Sequence, residues 1–475
     1  LYFVSKPSGG NTVNTPQLWI LFPLLVSGVF LFIMNKQRIL KWAGTITSFS
    51  LAVLAILLPI NQLFKFLFWE IRISDEMLVF GRRFILSEAD RPIVVLFFLV
   101  SAFWFLILDP KTVPIQIVPL GLAGTVLILT AYAVEPIFYG ALFFAFLALI
   151  YVVLLSPPGK EPTPGVLRFL IFQILGMLFI LFAAWLAGWI DVNTGDQLLL
   201  VRSLLILALG FAFLLAIFPF ISWIPMITEK NHPYLTGYVL NTYLLGVILF
   251  GLRFISDPGW FGQNINILQP LQYAGIVMLG FGGAIALISK HLGRMMAAVV
   301  ISEIGRSLLA VSLFLPGFPL FFAMIIVQSL ALGVWSLSLT YLRQVLNSLD
   351  YDSAAGAARQ WPIISSGILV GYFTLAGLPL FAGFPIYWAL GNKLSPFPLW
   401  ISFWYVFGSV GLLIGGVRTL AALTRNSGEE NVFVLSNTFY RSLIIVVNVI
   451  LVLLGLFPQI LIGIGQNITR LMMGS

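Results

Sequence analysis

Long apolar runs separated by short polar connections repeat along nearly all 475 residues of the chain. A helix crosses the hydrocarbon core of a bilayer with about 20 mostly apolar residues. Segments of that kind run near 17–34, 42–60, 92–109, 115–134, 137–156, 168–190, 198–225, 235–255, 269–289, 295–313, 317–342, 361–391, 399–421 and 441–465. The pattern predicts an all-α polytopic membrane protein of about 14 transmembrane helices. One connection, 61–91, breaks the rhythm. Its stretch EIRISDEMLVFGRRFILS mixes β-branched and charged residues around Gly81, which fits a small surface hairpin. An irregular polar loop is the other reading of the same residues.

Composition strengthens this picture. Hydrophobic residues make up 60% of the chain and charged residues 9%, against roughly a quarter charged in a soluble domain. Only lipid can serve as solvent for such a surface, and the mean hydropathy of +1.05 agrees. The net charge of +8 does not point to nucleic acid, because the 25 Lys and Arg are spread singly through short loops and not gathered on one face. They set orientation instead. Loops after odd-numbered spans contain or flank Lys36, Arg38, Lys41, Lys111, Lys160, Arg168, Lys230, Lys290, Arg294, Arg343, Arg359, Arg418, Arg425 and Arg441. The opposite side holds Lys6, Lys65, Arg72, Arg82, Arg83, Arg91, Lys393 and Arg470, most of them beside acids in 61–91. Both termini are therefore expected on the non-cytoplasmic side of a bacterial or archaeal plasma membrane, or of an energy-transducing organelle membrane. LYFVSKPSGG at the start reads as a polar lead and not as a cleaved signal.

Cysteine is absent, which removes disulfides, thiolate metal sites, iron–sulfur clusters and cysteine nucleophiles. The two histidines, His232 and His291, sit in polar loops as ordinary surface residues, so a pair of axial haem ligands is not available. No cofactor and no catalytic site are expected.

Two spans are interrupted. The seventh, LALGFAFLLAIFPFISWIP, carries Pro219 and Pro225; the twelfth, YFTLAGLPLFAGFPIYWALG, carries Pro379, Gly383 and Pro385. Proline removes a backbone donor and clashes with the preceding turn. In hydrocarbon the freed carbonyls need partners, so such breaks are tolerated only inside protein. Breaks five spans apart predict two inverted five-helix repeats, 115–255 (spans four to eight) and 269–421 (spans nine to thirteen). Residues 1–114 then form three leading spans with the 61–91 connection, and 441–465 a last helix.

These residues carry a resemblance. FPFISWIP, ISKHLGRMMAAVVISEIGRSLLA and LAGLPLFAGFPIYW resemble the motifs of the antiporter-like membrane subunits of respiratory complex I, membrane-bound hydrogenases and Mrp antiporters. Nothing after the last span resembles the long lateral helix of the largest paralogue. The resemblance implies a proton path made by a Glu on the fifth helix, Lys on the broken seventh, Lys on the eighth and Lys or Glu on the broken twelfth, with a His on the eleventh. Carried over by flanking motif, those positions hold Leu142, Leu214, Leu245, Tyr387 and Gln328 in this chain. None is protonatable near neutral pH.

The charges left inside the spans are few. Glu303 and Arg306 lie three apart on the tenth span and share a helix face; a structural ion pair and a functional one are both open. Arg202 and Arg253 stand near helix ends, where they can snorkel, and Glu135 before Pro136 reads as solvated. The leading expectation is an accessory, non-pumping subunit of a complex I-related (NADH:quinone oxidoreductase-type) assembly, partnered by other membrane subunits and lipid. An autonomous cation/proton transporter using a rewired path through Glu303 and Arg306 is the alternative. A third reading, an active pump with the motifs misaligned, needs charges within the breaks, and 211–224 and 374–390 contain none.

Overall fold

The computed structural model describes residues 12–473 except 59, 61–62, 67–68, 157–158, 160, 191–196, 257–267, 347 and 426–437. Lys6 lies outside the described residues, as do the side chains of Lys65 and Arg72. The protein is an all-α polytopic membrane protein, and ten helices among the described residues are long and apolar enough to cross a bilayer.

A π-helical turn, Gln17–Leu21, runs into α1 (Phe22–Phe32), followed by α2 (Gln37–Leu57), α3 (Arg91–Ile107), α4 (Ile117–Ala133), α5 (Gly140–Leu155) and α6 (Pro164–Ile190). The seventh apolar segment is two helices, α7 (Gln197–Leu214) and α8 (Trp223–Lys230), and α9 spans Pro233–Ser256. Next come α10 (Leu268–Ile288), α11 (Leu292–Ser312) and α12 (Phe318–Val345). The twelfth segment is likewise two helices, α13 (Pro362–Ala376) and α14 (Gly383–Leu394), followed by α15 (Leu399–Thr424).

The last expected span, 441–465, is corrected. It divides into α16 (Thr438–Leu456) and α17 (Pro458–Met473), because Pro458 has no N–H to continue the ladder and opens a new helix in its first position. Helix α17 turns onto α12 and α3. Its exposed positions include Gln459, Gln466, Asn467 and Arg470, which makes it amphipathic where the preceding helix is apolar.

Around the 61–91 connection, strands Glu76–Val79 and Arg82–Ile85 pair antiparallel across Phe80 and Gly81, both with positive φ. Val134–Glu135 adds to this pair. A second small sheet joins Thr12–Asn14, Trp69–Ser74 and Leu63–Phe66.

Helix α11 is the centre of the molecule. Every residue from Met295 to Ser312 is buried, with α10, α8, α12 and α9 packed around it. An all-buried helix need not be amphipathic, so it can carry polar side chains only where other helices supply partners.

Candidate functional site

The second break begins at Ala376. Gly377 adopts φ +81° and Leu380 φ +89°, and Pro379 lies between them. Gly377 and Leu378 both donate from their backbone N–H to Phe373 O, at 3.1 and 3.0 Å, closing the end of α13. Gly383 then starts α14 with Pro385 in its first turn, where a helix has no use for the missing N–H. Of the three marked residues, Pro379 therefore sits in the break while Gly383 and Pro385 begin the resumed helix. Gly383 has a steric duty: a Cβ there would lie 1.9 Å from the carbonyl oxygen of Thr374. The two half-helices meet so closely that only hydrogen fits.

The freed carbonyl of Leu375 faces α11. Arg306 Nη1 donates to it at 2.5 Å and to Glu303 Oε1 at 2.7 Å. The Tyr387 hydroxyl, one turn into α14, donates to the same Glu303 oxygen at 2.9 Å, and its ring lies 3.8 Å from the Arg306 guanidinium carbon. The Tyr405 hydroxyl on α15 fixes the Tyr387 carbonyl at 2.7 Å. Glu303 and Arg306 are 1% and 0% exposed, so lipid and bulk water are both excluded. Three of the residues singled out from sequence thus meet at one point, and the break's own carbonyl completes the set. Glu303 Oε2, Arg306 Nε and Arg306 Nη2 are buried without protein partners.

The first break differs. Leu214 ends α7, Ala216 takes φ +53°, and a 3-10 turn at Phe220–Ser222 leads into α8. Pro219 lies just before that turn, whereas Pro225 falls in the first turn of α8, again a position that tolerates proline. The N–H groups of Leu215, Ala216 and Ile217 fold back onto Phe211, Phe213 and Ala212 carbonyls, so local backbone and not a charge closes this end. Leu214 is fully buried against α6, where a Cβ on Gly176 would touch it at 2.7 Å. Leu245 on α9 is also buried; Leu142 on α5 and Gln328 on α12 are half-buried.

Hydroxyls also fill the interior around α9. Tyr151 bonds Thr242 at 2.8 Å, Tyr243 donates to Gln173 at 2.6 Å, Tyr238 to Gly121 O at 3.0 Å, and Ser101 pairs with Thr125 at 2.7 Å. The Trp104 ring packs edge-on to Tyr234 and Tyr238. Sequence reasoning passed over this cluster, although Tyr234 and Tyr238 stand one turn apart on the same face of α9.

Lys41, expected in or beside a loop, lies inside α2 and is 3% exposed. Its Nζ donates to the Tyr440 hydroxyl at 3.1 Å and sits 4.7–5.3 Å from the rings of Tyr440, Phe439 and Trp42. Tyr440 passes a bond to Leu108 O, and the neighbouring Asp109 accepts from Tyr341 at 2.7 Å.

Both histidines depart from the plain surface reading. The half-buried His232 has Nε2 3.0 Å from Thr112 O, and burial pushes its pKa down to about 4. His291 caps α11 by accepting from Gly293 N at 3.0 Å, and burial lowers its pKa as well. Glu135 is not simply solvated, because Arg253 reaches it at 3.5 Å and also bonds the Tyr132 carbonyl. Arg202 is exposed. Among the described residues, no group of three or more His, Asp or Glu side chains could hold a metal ion.

No protein-family model matches the chain. Curated proteins do. NADH-quinone oxidoreductase subunit N of Acidithiobacillus ferrooxidans is 24% identical over 241 residues, 48% of this chain and 49% of that one. Formate hydrogenlyase subunit 3 of Escherichia coli is 26% identical over 241 residues, 46% of this chain and 39% of that one. The chain thus spans about half or less of these relatives' length. In solved structures the same fold recurs over nearly the whole chain. A chain of the Mrp complex from Dietzia sp. superposes with a TM-score of 0.76 at 13% identity, covering 97% of each. One from respiratory complex I of Thermus thermophilus gives 0.73 at 18% identity, covering 96% of this chain and 99% of that one. In sequence the chain is thus similar to these oxidoreductase and hydrogenlyase subunits, and in fold to chains of the Mrp complex and of respiratory complex I. Its one fully buried ion pair, among the described residues, lies at the second helix break.

Proposed function

We propose that this chain is an accessory, non-pumping, antiporter-like membrane subunit of a complex I-related assembly. The observation that carries the reading is the chemistry at the positions matching the family's path: Leu142, Leu214 and Leu245 have no ionisable group, Gln328 has none, and Tyr387 is a phenol. A proton relay in a membrane needs side chains that change protonation near neutral pH. The burial of Leu214 and Leu245 in packed apolar surroundings supports the reading further.

The architecture we assign with it has fourteen crossings, counting α7 with α8, α13 with α14 and α16 with α17 as one each. Residues 115–255 and 269–421 form two inverted five-helix halves. Both termini lie on the non-cytoplasmic side of a bacterial, archaeal or organelle energy-transducing membrane. The two breaks, each with a residue in the left-handed region, Ala216 and Leu380, support corresponding roles. Partners are other membrane subunits of the assembly, and lipid.

One specific observation favours the competing reading, an autonomous cation/proton transporter working through Glu303 and Arg306: the pair is buried at a helix break and Glu303 Oε2 is unengaged. Purification under mild detergent separates the two. Copurification of further membrane subunits, and fragmentation of their complex when this chain is deleted, is the expected result. Ion flux by the isolated chain in vesicles, abolished by Glu303→Gln, would overturn it.

A further inference from the structure

We infer that the groove between α3, α12 and α17 binds one phospholipid with a zwitterionic, primary-ammonium headgroup, that is, an ethanolamine phospholipid. The break at Pro458 builds the groove. It turns α17 onto α12 and α3, so that Ile464, Ile468 and Leu471, on one face of α17, line the cavity opposite Val95, Leu99 and Phe103 of α3. The cavity holds about 560 Å³. Its open side is apolar, because Ile56, Leu99, Ile464 and Leu471 are 40–61% exposed. From Arg91 to Phe103 the lining follows α3 for about 18 Å, at 1.5 Å per residue. One leaflet's share of the hydrocarbon core is about 15 Å. The groove therefore runs from the membrane surface to near the midplane, which is the reach of a single acyl chain. A helix about 10 Å across and 18 Å long occupies roughly 1,400 Å³, more than the cavity holds, so a partner's helix does not fit.

The surface end of the groove selects the headgroup. Glu88 and Arg91 are the charged residues in the lining. Arg91 is anchored: Nε donates to Ala55 O at 2.9 Å, Nη2 to Ile56 O and Nη1 to Glu88. A guanidinium has five N–H groups, so one on each Nη is left for a phosphate oxygen. Glu88 accepts from Ile60 N at 3.1 Å, and its side chain is 53% exposed, open to an ammonium group. The two charges cancel, so a lipid of net negative charge meets no spare cation and is repelled by the carboxylate. A choline headgroup brings a positive charge but no N–H to donate. The ethanolamine headgroup supplies a phosphate for Arg91 and a charge-assisted donor for Glu88. The inference needs only that the chain spans a membrane, and it holds whether or not the chain belongs to an assembly or moves ions.

Native mass spectrometry of the intact, delipidated protein in detergent tests it, with ethanolamine, choline and glycerol phospholipids of identical acyl chains added in turn. One ethanolamine phospholipid should bind severalfold more tightly than either of the others. Glu88→Gln should bring its affinity down to that of the choline lipid. Leu99→Trp, which fills the groove from its open side, should abolish the tight binding altogether. Equal binding of the three lipids by the parent would overturn the proposal, and so would an undiminished preference in either variant. If Glu88→Gln does not accumulate, the headgroup comparison in the parent and the loss in Leu99→Trp, a change at an exposed apolar position, decide between them. None of these readings depends on which subunits copurify.

Discussion

Arg306 Nη1 holds the carbonyl oxygen of Leu375 at 2.5 Å, so one charged side chain on the central helix supplies the partner that the broken helix lacks. Removing Arg306 strips that carbonyl and strands the Glu303 carboxylate at once. Arg306→Leu should cost about 3–5 kcal/mol, the range for breaking a buried pair from one side. The double variant Glu303→Leu, Arg306→Leu still loses the Leu375 bond but leaves no bare charge, so it should accumulate better than the single. Fluorescence-detected size exclusion of the two variants checks the order, and equal accumulation would count against the pairing.

Gly383 and Thr374 set the spacing of the second break. A methyl group at Gly383 would meet the Thr374 carbonyl oxygen at 1.9 Å and the Tyr387 ring at 2.6 Å. Gly383→Ala must push α13 and α14 apart and pull Tyr387 off Glu303. A loss of about 2 kcal/mol or more is expected, within the range for overpacking, and should appear as a lowered Tm in detergent. An unchanged Tm would mean that the half-helices have slack.

Leu380 carries the opposite kind of cost. Its φ of +89° is a conformation that a side chain with a Cβ adopts under strain, and it is exposed, so little packing holds it. Leu380→Gly should raise stability by roughly 1 kcal/mol. A fall in Tm for this variant would show that the leucine makes a contact worth more than the strain.

His232 gives the fold an acid limit. Its folded pKa of about 4 lies below the ordinary 6.5, so the unfolded chain binds a proton that the folded chain refuses. Its contribution is whole above pH 6.5 and is lost progressively as the pH falls towards 4. The span corresponds to at most about 3 kcal/mol. His232→Gln should flatten the Tm–pH curve between pH 6.5 and 4 and leave it unchanged above pH 7. A curve as steep as the parent's would assign the acid sensitivity to other groups.

Much of the fold is legible in the chain because hydrocarbon demands one simple thing, an apolar run of fixed length, and runs such as 235–255 and 317–342 announce α9 and α12 directly. The division at Pro458 is not announced, since the residues on both sides stay apolar and no polar turn marks it. Pro225 and Pro385 look like helix breakers by type, but their effect depends on which turn they occupy. The meeting of Glu303, Arg306 and Tyr387 is half legible: i, i+3 spacing suggests the first two, while Tyr387 arrives from 84 residues away. Lys41 shows the limit most clearly. Its partner Tyr440 is 399 residues distant, and nothing local distinguishes a caged lysine from one in a basic loop.

Restoring lysine at Leu214 and Leu245 tests whether the path is merely missing two residues. In a functioning relay each lysine faces hydrated space and neighbouring charges that tune it. Here Leu214 is packed on Gly176, and Leu245 is buried on α9, the helix that also carries the bonded hydroxyls of Tyr238, Thr242 and Tyr243. An ammonium group at either place takes the position of a buried leucine side chain and is desolvated there, at a cost that hydrogen bonds to neutral hydroxyls do not repay. Leu214→Lys with Leu245→Lys should therefore lower accumulation and leave proton uptake by reconstituted vesicles at the parent's level, read with a pH-sensitive dye under an imposed potential. Flux rising above the parent's in the double variant would mean that water reaches these positions, and that the first half is a pump short of its lysines and not a filled core.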